Sequence, residues 1–135
     1  KLRHLKKWNE QRREIAKRYN QLFAGAEGSV TLPHEPEWSR SVYHLYVLRV
    51  ADRVQLQKRL DEAGIGTGIH YPVALHLTKA YEGLGFHAGD FPVAEKAASQ
   101  ILSLPMYPDL TNRQQDRVAS EVLKSLAVAP YSETR

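Results

Sequence analysis

The chain has 135 residues, of which 42% are hydrophobic and 25% are charged, and it contains no cysteine. These values are typical of one globular domain and argue against disorder or a collagen-like repeat. Disulfides and thiolate metal sites are excluded, and a chain of this length buries enough surface to fold without them. No apolar run approaches the ~20 residues that cross a bilayer, and no signal peptide is apparent. We therefore expect a cytoplasmic protein that makes no membrane contact.

An amphipathic helix is predicted for about residues 1–24, followed by Gly25 and Gly28, which end it. Its apolar residues recur at three-, four- and seven-residue steps: Leu2, Leu5, Trp8, Ile15, Tyr19 and Leu22. Lys1 enters this pattern with neither Met nor a capping residue before it. We therefore expect the chain to be part of a longer protein.

The positive charge of the chain is concentrated in this first helix. Eight Lys or Arg and two Glu among the first 20 residues give a net charge of +6, whereas the other 115 residues carry −2. This distribution favours a solvated helix face. It leaves open a second function, in which the chain is a binding module whose basic helix contacts nucleic acid or an acidic protein.

Four short segments have the composition of β-strands. Two prolines limit residues 30–38 to a short edge strand and a loop, whereas residues 42–50 are rich in β-branched and aromatic residues, as in a buried central strand. His44 lies in that central strand and is expected to be a core histidine. Residues 65–72 and residues 101–106 predict two further short strands.

Three more helices are indicated after the first. One follows a capping Asp52 and ends at Gly64, where a left-handed cap is expected. The next is predicted for residues 92–100, because proline suits the first turn of a helix. The last begins at a capping box formed by Thr111 and Gln114.

The fold class that follows is α+β. A long N-terminal helix precedes a small, largely antiparallel sheet of three or four strands, covered by helices on one face. Residues 75–81 add one or two helical turns. We divide the chain into a connecting helix (1–28), a small domain (29–128) and a tail (129–135), which is expected to fray.

Most residues with reactive side chains form no recognisable site. The glycine cluster at residues 64–68 leaves a helix and opens a strand, which predicts a cap and a turn, because a phosphate-binding loop has the opposite order. The six histidines lack the spacings of a metal site. Lys79 and Lys96 lie in helical patterns without the surroundings of a Schiff-base lysine. We expect no catalytic residue and no metal site in this chain.

Two residues at the end of a predicted strand are candidates for ligand contact. His70 and Tyr71 directly precede Pro72, and this placement can project two polar groups into a cleft. Each can hydrogen bond to a polar ligand. His76 follows a few residues later. The residues alone leave open whether these side chains bind a ligand or are partly buried and structural.

Four segments carry a resemblance to a known family. They read KLRHLKKWNEQRREIAKRY, VYHLYVLRV, LDEAGIGTGIHYPVALHLTKAY and DFPVAEKAASQILSLPMYPDLTNRQQDRV. Together they resemble the C-terminal part of the DegT/DnrJ/StrS family, whose members are pyridoxal-phosphate-dependent nucleotide-sugar aminotransferases of fold type I. The resemblance extends over about residues 1–126.

This resemblance implies a parent enzyme that transfers an amino group from glutamate to a nucleotide-linked keto-sugar, for polysaccharide or antibiotic sugar biosynthesis. It implies a homodimer. We do not expect nucleic acid as a partner, because the apolar stripe of the first helix needs a surface to pack on and the sequence has no base-reading motif. In such enzymes the large N-terminal domain supplies the Schiff-base lysine and most of the phosphate site. The chain alone is therefore expected to be inactive and to bind no pyridoxal phosphate. By similarity, His70, Tyr71 and His76 are assigned to the substrate side.

Overall fold

The computed structural model describes residues 1–128. The helices of this part are α1 (Leu5–Leu22), α2 (Arg53–Glu62), α3 (Pro92–Gln100) and α4 (Asn112–Val128). The strands are β1 (Val30–Thr31), β2 (Tyr46–Val50) and β3 (Ile101–Leu104). Short 3₁₀ segments lie at Leu2–His4, Leu75–Leu77 and Lys79–Leu84. The α+β class is confirmed, and the predicted fraying tail lies outside the described residues.

The three strands form one antiparallel sheet in the order β1, β2, β3. In the register of the central strand, Leu48 lies opposite Leu102 and Val50 lies opposite Val30. Alternate residues of β2 are buried, which is the period-2 pattern of a strand with one face on a core. The other face carries Arg49, whose Nη2 donates to Gln100 Oε1 at 2.9 Å.

The hydrophobic core lies between this sheet and the helices α1, α2 and α4. Its largest fully buried side chains include Tyr19, Tyr46, Phe23 and Leu60. The two tyrosine hydroxyls have partners, because Tyr19 donates to the Pro105 carbonyl at 3.1 Å and Tyr46 donates to an Asn20 oxygen at 2.6 Å. Burial raises the pKa of both phenols. Because each buried hydroxyl is hydrogen-bonded, the cost of removing it from water is offset.

The first helix packs on the core through its second half. Ile15, Ala16 and Tyr19 are buried, whereas Leu2 and Leu5 near the start are 84% and 43% exposed. The predicted helix over residues 1–24 is confirmed, with a 3₁₀ turn before α1. Its apolar stripe therefore continues beyond the surface that the described residues cover.

Helix boundaries follow the local signals in the sequence. An Asp52 carboxylate oxygen accepts from the Gln55 amide at 2.9 Å, and Gly64 takes a φ of 69° after α2. Thr111 and Gln114 form the capping box, because each backbone amide donates to the other residue's side chain. These three predictions are confirmed, as is a helix over Pro92–Gln100.

The predicted strand over residues 65–72 is wrong. A single antiparallel bridge joins Gly68 to Ser103, with amide-to-carbonyl distances of 3.1 and 2.7 Å. Gly66 and Gly68 offer no side chain to pack on a sheet, and Pro72 has no amide hydrogen to continue the ladder. The edge of β3 is therefore paired at one point only in this region.

The expectation that His44 is a core histidine is also wrong. The central strand begins at Tyr46, and His44 is exposed. The preceding Tyr43 has a φ of 45°, and its ring occupies the buried position at 8% exposure. The backbone therefore turns just before β2, in a way that the strand-like composition of residues 42–45 does not indicate.

Candidate functional site

His70 and Tyr71 lie together beside the third strand. The His70 Nδ1 atom is 2.9 Å from the hydroxyl oxygen of Ser103, a residue of β3 that is only 4% exposed. The rings of His70 and Tyr71 meet edge to face, with centroids 5.7 Å apart. Tyr71 is 73% exposed. His70 is also exposed, but a hydrogen bond joins its ring to the sheet, and Tyr71 presents a phenol to its surroundings.

Gly68 makes room for the His70 ring. A β-carbon built on Gly68 would lie 2.6 Å from His70 Cε1, which is closer than two carbon atoms can approach without a shift. While the His70 ring keeps its present position beside Ser103, no residue with a β-carbon fits in place of Gly68. The nearby Gly66 has open space around its α-carbon and is not constrained in this way.

His76 belongs to a different group of contacts, at the start of α3. Its Nε2 atom lies 3.1 Å from Glu95 Oε1, and its ring packs against Phe91 at a centroid distance of 4.8 Å. The same carboxylate accepts from the Gly89 amide at 2.9 and 3.1 Å and from the Phe91 amide at 3.3 Å. The Gly89 amide in particular holds the pKa of Glu95 below its ordinary value, and the Phe91 amide and His76 act in the same direction.

The structure thus brings two of the three predicted residues into direct contact. His70 and Tyr71 share a surface, whereas His76 is bonded to Glu95, and within residues 1–128 no hydrogen bond joins the two groups. Sequence reasoning missed the partners Ser103 and Glu95. Ser103 is 33 residues from His70, and Glu95 is 19 residues from His76, so no local spacing relates them.

A largely exposed apolar segment surrounds these residues. Of the fifteen large hydrophobic side chains that are exposed in the described part of the chain, nine lie between residues 71 and 93: Tyr71, Val73, Leu75, Leu77, Tyr81, Leu84, Phe86, Phe91 and Val93. Ala74 is an exception at 6% exposure. A concentration of exposed apolar side chains in one segment is a feature of interaction sites.

The basic residues of α1 are partly engaged within the chain. Arg13 pairs with Glu35 at 2.6 Å, and Arg18 pairs with Asp116 at 2.7 Å. The Arg13 guanidinium holds the pKa of Glu35 below its ordinary value, with help from the Ser41 amide. These contacts fasten other parts of the chain to α1, so this helix is a structural element as well as a charged surface.

An open cleft of about 640 Å³ lies beside the first half of α1. Its lining includes Arg3, Lys6, Glu10 and Pro108 and none of the three predicted site residues. Within residues 1–128 no group of three or more His, Cys, Asp or Glu side chains is placed to hold a metal ion, and no helix is long and apolar enough to span a membrane.

The described lysines do not fit a pyridoxal phosphate site. All eight lysines of the chain fall within residues 1–128, and every one is exposed. A lysine that forms a Schiff base is activated by desolvation in a pocket or by a neighbouring cation. The lysines named in the sequence analysis, Lys79 and Lys96, have neither a buried position nor a phosphate-binding glycine loop beside them. We therefore assign none of these lysines as the residue that forms a Schiff base with pyridoxal phosphate.

Comparisons with known proteins establish the family. The profile described as the DegT/DnrJ/EryC1/StrS aminotransferase family matches residues 1–123. The chain therefore belongs to the DegT/DnrJ/EryC1/StrS aminotransferase family, as the resemblance in its motifs implied.

Three similar proteins illustrate the match. The erythromycin biosynthesis sensory transduction protein EryC1 of Saccharopolyspora erythraea is 45% identical over 118 residues, 87% of this chain and 32% of that protein. The dTDP-3-amino-3,4,6-trideoxy-alpha-D-glucose transaminase of Streptomyces venezuelae is 40% identical over 122 residues, 90% of this chain and 32% of that protein. A crystal structure of S. venezuelae DesV in complex with a ketimine intermediate superposes with a TM-score of 0.89 at 38% identity, covering 95% of this chain and 34% of that one. The chain spans about one third of the length of these relatives.

The structural similarity confirms the predicted architecture. Solved aminotransferases share the arrangement of a long helix, a small antiparallel sheet and covering helices over nearly the whole chain. The fold is therefore that of the matching third of a fold type I aminotransferase.

Proposed function

We propose that this chain is the C-terminal, substrate-side domain of a pyridoxal-phosphate-dependent aminotransferase. The whole enzyme transfers an amino group from glutamate to a nucleotide-linked keto-sugar, in the biosynthesis of a polysaccharide or an antibiotic sugar, and acts as a cytoplasmic homodimer. Residues 1–28 connect the domain to the large one, and residues 29–128 form the small domain. When bound, pyridoxal phosphate supplies the electron sink for amino transfer.

The observation that carries this proposal is the pair formed by His70 and Tyr71. His70 is fixed by a buried serine of the sheet, and Tyr71 presents an exposed hydroxyl beside it. Ring nitrogens and phenols are suitable partners for the hydroxyl groups of a sugar and the phosphate oxygens of a nucleotide. These two side chains therefore bind and orient the keto-sugar. Every lysine of this chain is exposed, so none is assigned to the chemical step.

Two further findings support the placement in a longer enzyme. The relatives are about three times as long as this chain and are named as sugar transaminases in several cases. The exposed apolar segment around residues 71–93 needs a covering surface, and a larger domain or a second subunit provides one.

The reaction itself tests the proposal. For this test, the gene is cloned with the coding sequence that precedes the codon for Lys1. Its full-length product is then assayed with pyridoxal phosphate, glutamate and nucleotide-linked keto-sugars. We expect formation of 2-oxoglutarate that depends on the sugar, and none from the 135-residue chain alone. A full product that binds the cofactor and transfers no amino group to any such sugar would contradict the proposal.

The alternative function, in which the basic helix contacts nucleic acid or an acidic protein, gains no support from these observations. One side of α1 is buried on the core, and Arg13 and Arg18 form ion pairs within the chain. The remaining exposed cations form no base-reading motif.

Gly68→Ala is expected to weaken sugar turnover by displacing the His70 ring. The added methyl group would lie 2.6 Å from His70 Cε1, so the ring must shift from its present position beside Ser103. In the full enzyme, kcat/KM for the sugar should fall by about 2- to 13-fold, as for the loss of one neutral hydrogen bond. The matched control is Gly66→Ala, which meets no atom within 4 Å. Equal kinetics for the two variants would show that the His70 position has no influence on the sugar.

A further inference from the structure

We propose that His76 and Glu95 are positioning residues that fix the segment bearing Tyr71. This inference rests on the proposed function, since Tyr71 is taken as a sugar contact. It gives His76 a role other than the direct substrate contact that the resemblance implies.

The segment between the two histidines is attached at both ends to neighbouring elements. At one end the His70 ring is hydrogen-bonded to Ser103 in β3, and at the other end the His76 ring is hydrogen-bonded to Glu95 in α3. Helix α3 ends at Gln100 and β3 begins at Ile101, so the two anchor points belong to one continuous piece of chain. A segment held at both ends by one rigid unit has little freedom to rotate.

The intervening residues transmit this constraint to Tyr71. Ala74 is 6% exposed, and its carbonyl accepts from the Leu77 amide at 2.9 Å in the 3₁₀ turn that contains His76. Tyr71 itself is 73% exposed, and its ring meets the His70 ring edge to face. Its direction therefore depends on the backbone between the two attachments.

Glu95 is suited to this role by its number of partners. Its carboxylate binds His76 and the amides of Gly89 and Phe91, so it joins the beginning and the end of the exposed loop 76–91. The side chains of His76 and Glu95 are 8% and 23% exposed. Because Nε2 of His76 is used and the ring is nearly covered, the histidine is better placed to hold the loop than to contact a sugar.

The experiment uses the full enzyme with Glu95→Ala, Glu95→Gln and His76→Ala. Glu95→Ala removes the bonds that Glu95 makes to His76, Gly89 and Phe91 and leaves the His70–Ser103 bond in place. KM for the sugar should rise by about 3- to 30-fold, with the half-reaction with glutamate within about twofold of the original. Glu95→Gln should restore most of the affinity, because an amide oxygen at the Oε1 position still accepts from His76 and from the Gly89 and Phe91 amides. His76→Ala should raise KM in the same way, and the double variant should add little to the single ones.

A readout independent of activity keeps the two proposals separable. Hydrogen exchange at the Gly89 and Phe91 amides should accelerate in Glu95→Ala and stay slow in Glu95→Gln. The matched control is Glu82→Ala, an exposed glutamate of the same loop, which should change neither exchange nor KM. An inactive wild-type enzyme would refute the proposed function. The hydrogen-exchange measurement would still test whether Glu95 holds the loop 76–91. Folded His76→Ala and Glu95→Ala variants with the original sugar KM would overturn the positioning role.

Discussion

Replacing His70 by Ala, or Tyr71 by Phe, is expected to lower kcat/KM for the nucleotide-linked sugar in the full enzyme by about 2- to 150-fold. The lower bound corresponds to one neutral hydrogen bond and the upper bound to a bond with a charged group such as a phosphate. The half-reaction with glutamate should change little, because that step does not use the sugar contacts. Steady-state kinetics with each substrate varied in turn separates the two effects.

The structure sharpens this expectation for the two residues differently. Tyr71→Phe removes only an exposed hydroxyl, so the protein should unfold at the same urea concentration as the original. His70→Ala also removes the partner of the buried Ser103 hydroxyl, so a small loss of stability is expected beside the kinetic effect. His44→Ala serves as the control, because this histidine is exposed and lies outside both groups of contacts.

One outcome would reassign the pair. If either substitution removed the visible absorbance of the bound cofactor while circular dichroism showed an intact fold, His70 or Tyr71 would belong to the cofactor site. Their assignment to the sugar would then be wrong.

The second large effect is expected in the core. Leu48→Ala should lower the free energy of unfolding by about 2–5 kcal/mol, because it removes a fully buried side chain from the central strand and leaves a cavity. Leu48 is 0% exposed and lies opposite Leu102, which is also 0% exposed. Neither side chain of this pair is accessible to solvent, and the neighbouring strands limit how far the surrounding residues can move to fill the cavity.

Urea unfolding of the 135-residue chain, followed by circular dichroism, measures this effect. Leu2→Ala is the control, since Leu2 is 84% exposed and its removal should change the free energy of unfolding by less than about 0.5 kcal/mol. Similar midpoints for the two variants would contradict the position of β2 at the centre of the core.

Local signals in the sequence determined the helices. Asp52, Gly64 and the Thr111–Gln114 pair each act through hydrogen bonds or backbone angles within a few residues, so their effect does not depend on the rest of the fold. The helix at Pro92–Gln100 follows from the same kind of signal. The motifs also determined the family, because they extend over most of the chain.

Strand limits and site partners were decided only by the tertiary structure. Residues 65–72 have apolar content, but the edge of β3 pairs with them only at Gly68. The partners Ser103 and Glu95 are brought to His70 and His76 by the packing of α3 and β3 against residues far away in sequence. A sequence indicates which side chains can hydrogen bond, whereas long-range packing selects which of them meet, because it depends on how every element is placed at once.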